Sequence, residues 1–387
     1  VDFLPSPRAE QFRDEVRTLI AEHFTDDVRE HVRSTGTIHS WPLHRAIGAR
    51  GWIAEALPQA QGGGGRGPEE LAALFAELER AGAPYDGLSN VVMVSSVLAH
   101  VGNEMIRDEV LPRLLSGNAM VCLGYTEPDS GSDVAAARTR AVRDGDGWRI
   151  DGQKMFTSVA EEADWIFLLT RTSADGPKHA GLTFFLVPME TPGITLQEVR
   201  TLPGKRVNIT FLDDVRVGDT WRVGEVDGGW QVMLVALSFE RGLAGGVRDG
   251  ERLLAVLEQF AQRPSGCDGR RLLDDPVVRE RLVRLAIDNE VADLLADRAA
   301  WVAASGRLPG TEGAAARLFA SESFTRAASW AIDVAAPDGI MQEADRAGRI
   351  DGFFEYCYRF APGTTLAGGT SEIQRNLIAQ RGLGLPR

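Results

Sequence analysis

The stretch ARTRAVRDGDGWRIDGQKMFTS, residues 137–158, decides how the chain is divided. Apolar and polar residues alternate on both sides of Asp144-Gly145, and an Asp-Gly step between two alternating runs is a hairpin signal. WIFLLTRT (165–172), LTFFLVPM (182–189), GITLQEV (193–199) and NITFLDDVRV (208–217) follow as short β-rich runs that end in turns. Residues 118–227 therefore read as a middle antiparallel β domain. Upstream, AEQFRDEVRTLIAEHF, PEELAALFAELERAG and residues 90–115 repeat their apolar positions every three or four residues, so 1–117 reads as an N-terminal helical domain. Downstream, residues 228–387 carry the same period in four stretches, 230–261, 277–304, 312–336 and 371–385, which predicts a C-terminal four-helix bundle. The fold class expected is α+β, in the order helices, sheet, helices.

Composition narrows the function by exclusion. A chain of 387 residues with net charge −13 lacks the basic face that nucleic acid or an anionic membrane requires. No long apolar run and no signal-peptide pattern at the first residues place the protein, as an expectation, in the cytoplasm. Cys122, Cys267 and Cys357 lie far apart and form no CxxC pair, so they read as packing residues, and the six scattered histidines suggest neither a metal site nor a triad. The glycine run at 62–65 lacks the strand and the GK[ST] pattern of a phosphate cradle and reads as a loop.

Three segments carry chemistry. YTEPDSGSDVAA (125–136) supplies hydroxyls at Thr126, Ser130 and Ser132 beside a stiff Pro128 and a small Gly131. KMFTS (154–158) sets Phe156 and Ser158 on one face if the strand alternates regularly. GTSEIQRNLIAQRGLGLPR closes the chain. With these motifs in this order, the whole sequence resembles the acyl-CoA dehydrogenase superfamily. The resemblance implies FAD between the β domain and the C-terminal helices. Tyr125 and Thr126 would then hydrogen-bond the flavin ring, Ser132 would reach the flavin pyrophosphate or the acyl-CoA, Phe156 and Ser158 would flank the ring, and Thr370 of GTSEIQR would contact the cofactor. It also implies α,β-dehydrogenation of an acyl-CoA thioester, with electrons passed to an electron-transferring flavoprotein.

Many members of that family carry a glutamate before the Gly-Thr of the last motif, whereas this chain reads TLAGGTSEIQR, with Ala367 and Gly368 in the places of tyrosine and acid. A minority place the acid on the first long C-terminal helix, directly before an arginine. Glu240-Arg241, in the apolar run ALSFERG (236–242), matches that alternative. An acid among Ala236, Leu237, Leu243 and Ala244 costs free energy unless it is paired or used, so Glu240 is the expected α-proton base, with a structural ion pair as the rival reading.

The resemblance also points to what is missing. In homotetrameric relatives an arginine and a glutamine from a neighbouring subunit complete each FAD site. Here QFAQRPSGCDGRRLLDDP lacks the arginine spacing, and AIDVAAPDGIMQ has Asp333 for the glutamine and Ala336-Pro337 for the glycines. A second acyl-CoA dehydrogenase-like chain in an α2β2 assembly, as in actinobacterial steroid-CoA dehydrogenases, would supply the donors; the alternative is a homotetramer with drifted contacts. A bulky steroid side-chain or branched acyl group is the expected substrate, against a carrier-protein-linked dehydrogenase or a non-catalytic subunit.

Overall fold

The computed structural model describes the chain except for residues 1–5, 58–62, 65–66, 244–247, 265–268, 306–310, 343–351 and 387; the side chains of 56, 68, 238–243 and 304 also lie outside the description. The predicted glycine loop at 62–65 and Cys267 fall largely or wholly outside it. Helices α1 (Pro7–His23), α2 (Asp26–Thr35), α3 (Trp41–Ala49), α4 (Pro68–Ala81), α5 (Asp86–Val101) and α6 (Leu111–Leu115) come first. A sheet follows, made of β1 (Val121–Gly124), β2 (Arg140–Asp144), β3 (Gly147–Thr157), β4 (Trp165–Arg171), β5 (Leu182–Pro188), β6 (Ile194–Arg200), β7 (Arg206–Gly218) and β8 (Arg222–Val223). Then come α7 (Gly229–Leu243), α8 (Asp249–Gln262), α9 (Pro276–Ala304), α10 (Glu312–Val334), α11 (Phe353–Thr364) and α12 (Ser371–Leu377). The order of helices, sheet and helices is the one the sequence predicts. None of the described helices is long and apolar enough to cross a membrane. Internal contacts divide the chain into two compact units, residues 8–74 with 83–240, and residues 1–7 with 75–82 and 241–387.

The first unit is built on the sheet, whose strands run in the order β6-β7-β3-β2-β4-β5-β8, with β1 attached to β4. β2 and β3 form the predicted hairpin, Asp144 facing Gly147 across a turn in which Gly145 has φ 59°. The sheet is not purely antiparallel. β4 pairs in parallel with β1, and at Arg140–Arg171 with β2. The chain leaves β1, makes the β2–β3 hairpin and only then returns as β4, a crossover long enough to permit parallel pairing. WIFLLT and LTFFLV are buried at every position, and Phe167 stacks on Phe184 with centroids 4.4 Å apart. Such unbroken apolar runs mark strands covered on both faces. Cys122 on β1 is buried, which pushes its thiol well above the ordinary range.

The second unit has a core shared by four helices. Leu253, Leu257 and Phe260 of α8 meet Val278, Leu282 and Leu285 of α9, Phe324 and Ala328 of α10, and Phe354, Cys357 and Ala361 of α11. The number matches the expectation, but the membership does not. The stretch 230–261 is two helices, α7 and α8, and α11 takes the place assigned to the short terminal α12. α9 starts as its sequence dictates, with Pro276 in the first turn and the Asp275 carboxylate accepting from Val277 N at 2.7 Å.

A charge network lies in the same unit. Arg80 meets Glu251 at 2.7 Å and Glu77 at 2.9 Å, while Arg248 meets Asp293 at 2.9 Å. Glu251 and Asp293 hydrogen-bond to each other, which needs a proton on one of them. Burial raises Asp293 to about 7; Arg248 opposes the shift, and Glu251 reinforces it. Because the folded pKa exceeds the ordinary 3.8, this group's stabilising contribution is complete below that value and is lost as pH climbs through about 7. Asp293→Asn keeps a donor toward Glu251 without a proton to lose. Its melting temperature is expected to fall less than that of the wild type between about pH 5 and pH 8; equal falls in thermal scans would assign the proton elsewhere.

Candidate functional site

The segments 125–132 and 154–158, distant in sequence, are brought together in the sheet-based unit by a lysine. The period-two register of β3 turns Trp148, Ile150 and Lys154 inward, and Lys154 has no exposed surface. Its Nζ donates to Glu127 Oε1 at 2.7 Å and to the Tyr125 carbonyl at 3.3 Å. Glu127, 7 % exposed, accepts two further bonds, from Arg138 N at 2.6 Å and Thr139 N at 2.9 Å. The backbone of Met155 adds a bond to the Thr126 carbonyl at 2.8 Å. The turn itself closes through reciprocal Glu127–Ser130 bonds of 2.9 and 3.2 Å, with Pro128-Asp129 at its tip.

Electrostatics follow from that packing. Complete burial pushes Lys154 down to about 8, with Glu127 pulling it back. Burial acts to raise Glu127, but the Lys154 charge and the convergent donors prevail and hold it below the usual carboxylate range. The two groups therefore stay an ion pair at neutral pH. At the far end of the loop, Arg171 donates to the carbonyls of Ala135 at 2.6 Å and Ala137 at 3.3 Å, and across to Lys178 and Ala180. The TEPDSGSD loop is thus fixed at both ends by buried or half-buried cations.

Phe156 owes its position to a bulge. Lys154 pairs with Thr210 and Thr157 with Asn208, so three steps on β3 oppose two on β7. Phe156 takes the extra place with φ 56° and is 58 % exposed, while Thr157 beside it is fully buried and bonded to Thr210 Oγ1 at 3.1 Å. A left-handed backbone at an aromatic residue costs roughly 1–3 kcal/mol, and the buried neighbours hold it there. This corrects the expected alternation: Ser158 lies beyond the strand in a turn, and no regular period relates it to Phe156.

The other expected residues are placed as follows. Tyr125 is half-buried, its ring edge-on to Phe184 at 5.7 Å and Phe167 at 6.1 Å; Thr126 is half-buried and Ser132 exposed. Thr370 lies in the other unit, where its hydroxyl caps α12 by accepting from Ile373 N at 3.3 Å. Just before it, Gly368 and Gly369 have φ 66° and 96°, and both carbonyls accept from Gln374 Nε2. A glutamate at 368 would take a strained backbone in this turn. Glu240 and Arg241 lie on α7, and their side chains are outside the described residues. Arg271, the arginine beside the incomplete cofactor segment, is tied to Asp274 at 2.7 Å, and Asp333 is exposed near the end of α10.

Sequence reasoning missed Glu127 and Lys154 as a pair. The available signal was a lysine at an inward-facing position of an alternating strand, which requires a buried acid. The arrangement suits a flat aromatic cofactor with a polar edge: an exposed ring at Phe156, hydroxyls at Thr126 and Ser132, open space around Gly131, and Ser130 Oγ, buried with no hydrogen-bond partner among the described residues. Removing one partner of a buried pair strands the other, so Lys154→Met is expected to cost about 3–5 kcal/mol. Denaturant titration should show this, and the Lys154→Met, Glu127→Gln double variant should regain part of it; a neutral single variant would contradict the pairing.

Comparison with known proteins agrees along the whole chain. Patterns described as "Acyl-CoA dehydrogenase" N-terminal, middle and C-terminal domains match residues 6–118, 122–215 and 227–383. Acyl-CoA dehydrogenase FadE26 of Mycobacterium tuberculosis is 31 % identical over 99 % of this chain and 98 % of its own length, and IpdE1 of the same organism is 32 % identical over 98 % of each. Two solved structures, "Tcur3481-Tcur3483 steroid ACAD" and the ChsE4-ChsE5 complex from Mycobacterium tuberculosis, each superpose with TM-score 0.89 at 30 % identity over the full length of both chains. The chain belongs to the acyl-CoA dehydrogenase family of enzymes.

Proposed function

We propose that this acyl-CoA dehydrogenase binds FAD, uses Glu240 as the base that removes the α proton, and acts on a bulky, steroid-type acyl thioester. The observation that carries the base assignment is positional. Met233 and Ala236 are buried on α7, and position 240 continues their stripe at helical spacing, whereas the alternative position, Gly368, has no carboxylate and sits in a left-handed turn. A carboxylate at that position of the helix is the kind of group that removal of an α proton requires.

In this reading Tyr125 and Thr126 hydrogen-bond the flavin ring, Phe156 and Ser158 flank it, and Ser132 meets the pyrophosphate or the acyl-CoA. Bound FAD supplies the acceptor for the β hydride, and an electron-transferring flavoprotein takes the electrons onward. The fixed loop keeps the ring in one place while Glu240 takes the proton, which is the positioning that an intramolecular step demands.

The substrate class rests on relatives. One structural neighbour is named a steroid ACAD, and both it and the ChsE4-ChsE5 complex pair two different chains. The commitment of Arg271 to Asp274 and the acid at Asp333 support a second acyl-CoA dehydrogenase-like chain that completes the cofactor site. Glu240→Gln should keep its flavin and lower the anaerobic rate of flavin bleaching by a steroid acyl-CoA roughly 10²–10⁴-fold. Bleaching at the wild-type rate would remove Glu240 from the mechanism. Separately, the wild-type chain expressed alone should hold less than one FAD per chain; a full complement would exclude the second chain.

A further inference from the structure

The turn after β3 is bracketed by two backbone outliers. Val159, like Phe156 before it, lies in the left-handed region, with φ 55°, and its side chain is buried. A β-branched residue resists that conformation, so its neighbours must impose it. Between the two outliers stands Ser158, half-buried and outside the strand. Within the turn the backbone bonds run from Glu162 N to the Val159 carbonyl at 3.1 Å and from Ala163 N to the Ala160 carbonyl at 3.4 Å.

One side chain of β7 spans this turn. Asn208, buried opposite Thr157 in the ladder, donates through Nδ2 to the Thr157 carbonyl at 3.4 Å and to the Glu161 carboxylate. The other oxygen of Glu161 pairs with Arg206 at 2.5 Å, and the same guanidinium reaches Glu162 at 3.4 Å. Glu162 also accepts from the Thr37 hydroxyl at 2.7 Å, and the Arg206 amide donates to the Gly36 carbonyl at 2.7 Å. Residues 158–160 are thus held between Thr157 and Glu161 by one buried amide, with a cation fixing the far end. Apolar packing would tether a turn equally well and leave no buried polar group to satisfy. An amide that bridges a main-chain carbonyl and a carboxylate fixes direction as well as distance, which matters where a turn has to aim a hydroxyl.

We infer that Asn208, with Glu161 and Arg206 behind it, is a positioning residue that aims Ser158 and Phe156 at the flavin ring. The inference rests on the proposal that FAD lies against those two residues, and it adds the group that keeps them there. Asn208→Asp tests it, because the shape is kept while the donor is exchanged for a second carboxylate facing Glu161. In the full-length protein the amides of Glu162 and Ala163 should then exchange about tenfold faster or more. The visible absorption bands of the flavin, normalised to bound FAD, should shift, and kcat should fall about tenfold with KM for the acyl-CoA little changed. Glu161→Gln in the Asn208→Asp background sets an amide donor opposite the carboxylate again and should return the bands toward the wild type. Val217→Ala, at a buried position near the other end of β7, controls for lost stability and should leave the bands in place. Bands unmoved by Asn208→Asp, or moved equally by Val217→Ala, overturn the proposal and leave the FAD reading intact; a wild type that binds no flavin overturns both. If Asn208→Asp does not fold, Glu161 decides: Glu161→Ala should move the bands and Glu161→Gln should keep them, and bands left in place by both overturn the proposal.

Discussion

An ammonium group sealed from water organises the site. Lys154 has no exposed surface, and burying such a charge costs several kcal/mol even after relaxation. Glu127 offsets that cost, and then collects the backbone donors of Arg138 and Thr139 as well, so one carboxylate joins β3 to both ends of the TEPDSGSD loop. The loop's conformation is therefore not a free choice of Pro128 and Gly131. It is the consequence of where the strand register places a lysine.

The bulge at Phe156 depends on the same anchor. Lys154 fixes the register on one side and buried Thr157 fixes it on the other, and the extra residue between them has no place in the ladder. An exposed aromatic ring results, one residue from a fully buried one. A stiff polar loop next to a presented ring is the kind of surface on which a flat cofactor can be held without ordering the protein further. The helical unit handles its buried charge differently. There Asp293 and Glu251 share a proton between two arginines, which makes that network sensitive to pH near neutrality, while the Lys154–Glu127 pair stays ionised.

Much of the architecture was legible because period decides it. The unbroken apolar runs of β4 and β5, the Asp-Gly hairpin, and the long stripes of α9 and α10 all survive as read. What escaped has a physical cause in each case. Helix α11 is written in aromatic residues with an internal Pro362, which argue locally against a helix, yet Phe354, Cys357 and Ala361 keep helical spacing and tertiary packing prevails. The parallel pairing of β4 depends on a crossover that no local pattern encodes. At the site, the motif residues were found but the alternation placing Ser158 beside Phe156 failed, because one inserted residue resets a period of two. The Lys154–Glu127 pair links positions 27 apart in sequence, and only the inward register of the lysine hinted at it.

Backbone hydrogen exchange over residues 125–139 measures the central claim directly, in the wild type and in Lys154→Met. In the wild type the amides of Glu127, Ser130, Arg138 and Thr139 should be protected to a degree approaching β4 and β5. In the variant these amides should lose protection while β4 and β5 keep theirs. Fast exchange across 125–139 in the wild type, or protection untouched by loss of the lysine, would contradict the view that this buried pair fixes the loop.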